Sequence, residues 1–186
     1  MRARLSLLLA LAMVAVSAVA GAAEQNAPPS GMGILIVSGD VPHPNRGPAA
    51  AGAVDLFGKL GVSFEKAVEF DLDGLKALDQ KEIEGFVEPE VLEGTFSGPL
   101  LADVLSAAGL PISDVIGVGL DGYRKDITRE AIEKYDPIVA LYVNGKLLQI
   151  GGYGPTSIVF PTSPDDAVNT SNQNMQPWAT FYLEAK

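Results

Sequence analysis

Residues 33–39 run Gly33-Ile34-Leu35-Ile36-Val37-Ser38-Gly39. The stretch is apolar and β-branched, and Gly39 and Asp40 end it, so it predicts a buried first strand. Residues 42–52 are rich in Pro, Gly, Ala and Asn and read as a loop. Residues 54–64 are ambiguous: Asp55-Leu56-Phe57 and Leu60 have helical spacing, but Gly58 and Gly61 keep any helix short. A strand lies toward the end of residues 64–71, and Asp71 or Asp73 then caps a helix through Leu72, Leu75 and Leu78. Residues 81–87 alternate, which predicts a strand with Ile83 and Phe86 inward and the acids outward. Residues 93–98 form another short strand. Pro99 suits the first turn of a helix carrying Leu100, Leu101, Val104, Leu105 and Ala108, with Gly109 as its C-cap.

Farther along, residues 115–120 predict a strand ended by the turn Asp121-Gly122. Residues 124–128 are short and extended, and Thr128 or Asp126 caps a helix over 129–134. Residues 138–143 read as a buried strand. Asn144-Gly145 is the strongest hairpin signal in the chain, with residues 146–150 returning from it. Residues 157–160 are one more strand, 165–177 a long Asn-rich loop, and 178–183 a closing strand. No internal repeat is visible. The pattern predicts an α+β fold with a mainly antiparallel or mixed sheet and short helices.

The N-terminus changes the picture of where the chain works. Met1, Arg2, Ala3 and Arg4 form a basic start, and residues 5–19 are apolar. Small residues follow, with an A-x-A pattern at Ala18/Ala20 or Ala20/Ala22. Residues 1–23 therefore predict a cleaved secretory signal peptide, residues 24–32 a flexible lead-in, and residues 33–186 a single domain. Ala3 separates Arg2 from Arg4, so there is no twin-arginine pair. The expected destination is the periplasm or the outside, with no stable membrane insertion after cleavage. About 163 residues remain, enough for one sizeable core.

Charge and composition then exclude several classes. The chain carries a net −10, and loss of Arg2 and Arg4 with the signal makes the mature protein two units more negative. Such a surface disfavours nucleic acid and anionic lipid, and favours solubility and a cationic partner. There is no cysteine, hence no disulfide and no thiolate metal site. The single histidine, His43, rules out multi-histidine zinc or copper sites. The acids Glu82, Glu84, Glu88, Glu90 and Glu93 lack the loop pattern of a calcium site and read as a solvated strand face. No G-x-S-x-G elbow is present to activate a serine.

Three segments carry candidate ligand contacts. His43-Pro44-Asn45-Arg46-Gly47 offers imidazole and guanidinium donors in a loop, where a carboxylate or phosphate would be met. The alternative is an exposed loop with capping side chains. Asp121-Gly122-Tyr123-Arg124 joins an aromatic and a cation to turn chemistry that needs no ligand. Gly151-Gly152-Tyr153-Gly154-Pro155 presents bare amides able to cradle an anion, or simply a tight loop. It is not a P-loop, since no Lys-Ser/Thr follows. The candidate ligand-binding residues are thus His43, Asn45, Arg46, Tyr123, Arg124 and Gly152, with a small anionic ligand or a periplasmic protein as partner.

An ordered set of motifs resembles a known family. It comprises Phe70-Asp71-Leu72, Leu75-Lys76-Ala77-Leu78, Thr95-Phe96-Ser97-Gly98-Pro99-Leu100-Leu101, Ala107-Ala108-Gly109, Leu120-Asp121-Gly122-Tyr123, Glu133-Lys134-Tyr135, Asn144-Gly145-Lys146, Gly154-Pro155, Phe160-Pro161 and Trp178. Val37-Ser38-Gly39 and Pro44-Asn45-Arg46-Gly47 look like its front end. Together they resemble small exported proteins of the oxidoreductase molybdopterin-binding domain, the sulfite-oxidase-like fold. The resemblance implies that fold, a cleft bordered by Asp121-Gly122-Tyr123-Arg124, and molybdopterin as the possible cofactor.

The departures from that family shape the functional expectation. The catalytic members place a thiolate on molybdenum just after the strand matching residues 81–87. This chain has Gly85-Phe86-Val87-Glu88-Pro89 there, without a soft ligand. The mature chain has three arginines, Arg46, Arg124 and Arg129, a thin supply for a dianionic cofactor and an anionic substrate. Molybdenum enzymes are generally loaded in the cytoplasm and exported folded, which a general secretory signal does not suit. The expectation is a ligand-binding or accessory module without bound cofactor. The alternatives are a molybdopterin-dependent oxidoreductase with non-cysteine ligation, or an interaction partner of a periplasmic sensor or redox protein.

Overall fold

The strand β1 (Gly33–Ser38) splits its two faces between different partners, and the rest of the architecture follows from that split. In the computed structural model, which describes residues 28–88 and 92–186, Leu35 and Val37 point into the main core. Ile36, between them, points to the opposite face. β1 pairs antiparallel with β2 (Ala67–Asp71) and parallel with β11 (Thr180–Ala185). β11 pairs antiparallel with β5 (Val115–Gly119), which pairs with β6 (Arg124–Ile127). The five-stranded order is β2-β1-β11-β5-β6.

A second sheet runs through β3 (Gln80–Glu88), β4 (Leu92–Pro99), β8 (Tyr142–Val143) and β9 (Lys146–Leu147), all antiparallel. A two-stranded ladder joins β7 (Ile138–Ala140) to β10 (Ser157–Val159). β7 is buried on both faces. Val139 belongs to the main core, whereas Ile138 and Ala140 face a cluster with Val87, Phe96 and Val159. This double burial is why residues 138–141 read as an unbroken apolar run. β4 crosses close by: a Cβ on Gly98 would lie 2.0 Å from the Val139 carbonyl oxygen, so only glycine permits the approach.

Five helices are seen among the described residues, and two of their N-caps, Asp71 and Thr128, are among those the sequence predicts. α1 (Leu56–Lys59) is capped by Asp55, α2 (Leu72–Lys76) by Asp71 and α4 (Arg129–Tyr135) by Thr128, each accepting from a backbone N–H three residues on. α3 (Leu101–Ala107) buries Leu101, Val104 and Leu105 in the main core and ends at Gly109 with φ +78°. Asn144 and Gly145, both at positive φ, make the tight β8–β9 turn. The mixed α+β architecture with a predominance of sheet agrees with the expectation from pattern.

Several local expectations are corrected. Residues 165–177 are not a loop: α5 (Asp166–Gln173) occupies them, capped by the Asp165 carboxylate on Ala167 N–H at 2.9 Å. The α5 residues withdrawn from solvent are Val168, Asn169, Asn172 and Gln173, one apolar residue among three amides, so no apolar period marks the helix. Pro99 ends β4 instead of entering α3, whose N-cap is Leu100 without a side-chain bond. Strand parity places Ile83, Gly85 and Val87 on one face, so Phe86 lies half-buried on the other. The stretch 138–143 breaks at Leu141, whose N–H bonds the Ser97 carbonyl and whose carbonyl takes Leu148 N–H. The return strand is accordingly short, and the last strand begins at Thr180 after Ala179 at φ 48°. The predicted signal peptide lies outside the described residues. At the end of the lead-in, Ser30 and Gly31 bond the Asp71 carboxylate. No helix among the described residues is long and apolar enough to cross a membrane.

Candidate ligand-binding site

The loop holding His43, Asn45 and Arg46 runs beside β2, and its polar groups are drawn into that contact. Asn45 uses its amide as a peptide mimic: Nδ2 donates to the Glu69 carbonyl at 3.0 Å, and Oδ1 accepts from Glu69 N–H at 2.7 Å. Arg46 pairs with the Glu69 carboxylate at 2.7 Å and lies over the Phe57 ring at 5.1 Å. His43 is exposed on the same loop.

Residues 50–63 make an excursion closed at its base by the bridges Ala49–Phe64 and Arg46–Ala67, and they lie over the outer face of the five-stranded sheet. Phe57, Leu60, Val62 and Phe64 pack there on Ile36, Val118, Phe181 and Tyr182. Beneath them the Tyr182 and Ser38 hydroxyls share a buried hydrogen bond of 2.6 Å. Burial raises the Tyr182 phenol above its ordinary pKa, and the bond with Ser38 opposes that in part.

The second predicted segment meets the same excursion from the other side. Arg124 Nη2 donates to the Leu60 carbonyl at 2.8 Å, and Gly122 abuts the Leu60 side chain. Tyr123 is about half exposed, with the Lys125 ammonium 4.8 Å from its ring centre. The structure therefore brings Arg46 and Arg124 to opposite flanks of residues 56–60. Both guanidinium groups are engaged internally, and so is Arg129, paired with Glu133 at 2.7 Å.

Gly152 lies apart from the Arg46 flank. The N–H groups of Gly152 and Gly154 both donate to the Gln149 carbonyl, so these amides close a turn and do not point at an open space. Tyr153 packs edge-on against Trp178, and its carbonyl accepts from Ala179 N–H. Ala179 in turn accepts from Leu120 N–H, which links this loop to the 121–124 turn.

The end of β3, where the family resemblance puts a metal-binding thiolate, is tied down by the chain itself beside an open space of about 380 Å³ lined by Glu84, Gly85, Phe86, Glu93, Thr162 and Asn169. Gln176, 4% exposed, donates from Nε2 to the Phe86 carbonyl at 3.0 Å and accepts from Phe160 N–H at 2.7 Å. Thr162 N–H bonds the Glu84 carbonyl at 2.8 Å, and Ile158 N–H bonds the Pro177 carbonyl at 3.0 Å. The segment 162–177, with α5 inside it, is thus stitched to β3 and β10 at both ends. Gly85 faces Val159 so closely that a Cβ would sit 2.7 Å from it. Pro89, the last residue of the matching stretch, lies outside the described residues. Among the described residues no group of three or more His, Cys, Asp or Glu side chains is arranged to hold a metal ion.

An open shelf of about 560 Å³ between α2 and the outer face of the β3-β4-β8 sheet was not among the predicted sites. Glu82, Ser97 and Tyr142 form its floor as one cross-strand row, with Lys76, Gln80 and Lys81 around them. Each of these residues is ordinary in sequence. Only the strand register, which pairs Ser97 with both Glu82 and Tyr142, brings them together. No protein-family model matches the chain, and no curated protein matches it.

Proposed function

We propose that this chain is an exported, non-catalytic binding or accessory module built on a sulfite-oxidase-like scaffold, working in the periplasm without a molybdenum cofactor. The observation that carries this reading is the set of donors at the end of β3. Gln176 ties Phe86 to Phe160 there, Glu84, Glu93, Thr162 and Asn169 around them supply only oxygen and amide groups, and the chain has no cysteine to offer a thiolate. The residues present do not fit a molybdenum dithiolene centre of the family type. A thiolate ligand needs cysteine, and a hard carboxylate or an amide does not replace it. A dianionic pterin phosphate calls for free guanidinium donors. Arg46, Arg124 and Arg129 each have an internal partner instead.

Retention of the scaffold without its chemistry is physically reasonable, since a fold does not dictate the reaction on it. The test is to purify the mature protein after export from its native host and measure molybdenum and pterin, by elemental analysis and the fluorescence of oxidised pterin. The expected result is substoichiometric trace metal and no pterin. Stoichiometric molybdenum with pterin would overturn the reading and turn attention to oxo-transfer activity.

A further inference from the structure

The shelf between α2 and the β3-β4-β8 sheet carries polar groups that the fold leaves unspent. The Ser97 and Tyr142 hydroxyls are half-buried, face the shelf and have no hydrogen bond among the described residues. Gln80 uses its amide nitrogen on the Leu75 and Leu78 carbonyls, both at 2.9 Å, which leaves Oε1 as an acceptor toward the shelf. Glu82 adds a carboxylate directly across the strand from Ser97. Lys76 contributes an ammonium whose partner, Asp73, stands 3.6 Å away in an exposed pair. Lys81 is held by Asp79 at 2.5 Å, with Asp103 nearby, so its charge is compensated before any ligand arrives.

The balance of these groups selects a ligand class. An anion would meet Glu82 at one end of the floor, and a cation would meet Lys76 at the wall. Donors (Lys76 and two hydroxyls) and acceptors (Glu82, Gln80 and the same hydroxyls) occur together. That combination suits a ligand whose every polar group both donates and accepts. The row Glu82–Ser97–Tyr142 spans two inter-strand spacings, roughly 10 Å, which matches one to two sugar rings. The shelf's volume lies within the range of small-molecule sites.

We infer that this shelf is a binding site for a neutral polyhydroxylated ligand, a sugar of one or two rings. This inference rests on the reading of the chain as a binding module. Molybdenum and pterin are therefore measured on the same preparation, so that failure of the module reading is seen separately from failure at the shelf.

The experiment titrates maltose, cellobiose and chitobiose, each to about 10 mM, into the mature full-length protein, with amide and side-chain NMR shifts as the readout. Succinate and putrescine serve as the anionic and cationic comparisons. At least one disaccharide is expected to shift Gln80, Glu82, Ser97 and Tyr142 saturably, and neither charged compound should. Ser97→Ala and Tyr142→Phe should each weaken the response roughly tenfold, the value of a lost hydrogen bond to a well-placed partner. Should either fail to fold, Lys76→Gln, at an exposed position, reports on the same wall. No shelf response to any of the three sugars would overturn the inference. So would a saturable succinate or putrescine response stronger than the sugars', or sugar binding unchanged in all the folded variants.

Discussion

Replacing Gln176 by leucine tests the clamp that this side chain makes on β3. The side chain is buried and makes two hydrogen bonds, to the Phe86 carbonyl and from the Phe160 amide. Leucine keeps much of the volume, so the cavity contribution is small, but it strands one buried acceptor and one buried donor. Each orphan costs about 1–3 kcal/mol, so a total loss of about 2–6 kcal/mol is expected. In urea the midpoint should fall by roughly 1–3 M with an unchanged slope, and the melting temperature by roughly 4–24 °C. Hydrogen exchange at the Phe160 amide should accelerate with that of α5, since the same side chain ties both to β3. Gln176→Glu sharpens the argument. An ionised carboxylate still accepts from Phe160 but offers no proton to the Phe86 carbonyl. Its deficit should therefore shrink as pH falls and the carboxyl regains a donor. A Gln176→Leu protein within about 0.5 kcal/mol of wild type would refute the reasoning, because the clamp would then contribute nothing.

Three further outcomes follow from buried polar groups. Asn172 is buried with neither side-chain atom bonded among the described residues, so Asn172→Leu should raise stability by about 1 kcal/mol; a comparable loss in chemical denaturation would contradict this. Tyr182 has a phenol pKa raised by burial. Its stabilising contribution is complete below the ordinary tyrosine pKa and is lost as pH rises through the folded value. In an alkaline titration followed at 295 nm, one of the five tyrosines should ionise late, and Tyr182→Phe should remove that late step. Asp71 accepts from Gly74 and Gly31 N–H groups, which hold its carboxyl below the usual range. Its contribution is present above the unfolded carboxylate pKa and vanishes as pH falls through the folded one. Asp71→Ala should cost about 2 kcal/mol at neutral pH, for a lost cap and a lost loop contact. The deficit should narrow in acid, as thermal melts at several pH values would show.

Where one physical cause dominates, the fold is legible in the chain. Asp71, Thr128, Gly109 and Asn144-Gly145 act alone on the local backbone, and the caps and turns they predict are found. The doubly buried β7 announces itself as an apolar run because both of its faces lie in the core. The failures occur where partners far along the chain decide. α5 forms although its inward face is amide-rich, because Asp165 caps it and Asn169 bonds both the N–H and the carbonyl of Ser163. Phe86 faces away from the cluster of Ile83 and Val87 because the period of two overrides its hydrophobicity.

The candidate site shows the same dependence, with the roles reversed. His43, Asn45, Arg46, Tyr123, Arg124 and Gly152 attract notice by residue type, since guanidinium, amide and bare N–H groups are the usual donors to a ligand. A donor serves a ligand only if the fold has not already used it. Asn45 is matched to Glu69 on both sides of its amide, Arg46 to the Glu69 carboxylate, Arg124 to the Leu60 carbonyl, and the Gly152 N–H to Gln149. Ser97 and Tyr142 attract no notice by type, yet their hydroxyls remain unmatched because their strands pair through backbone groups and leave the side chains standing on an open face. The property that marks a binding surface is the residue of polar capacity after folding. That residue is set by strand register, a long-range quantity that no window along the sequence contains.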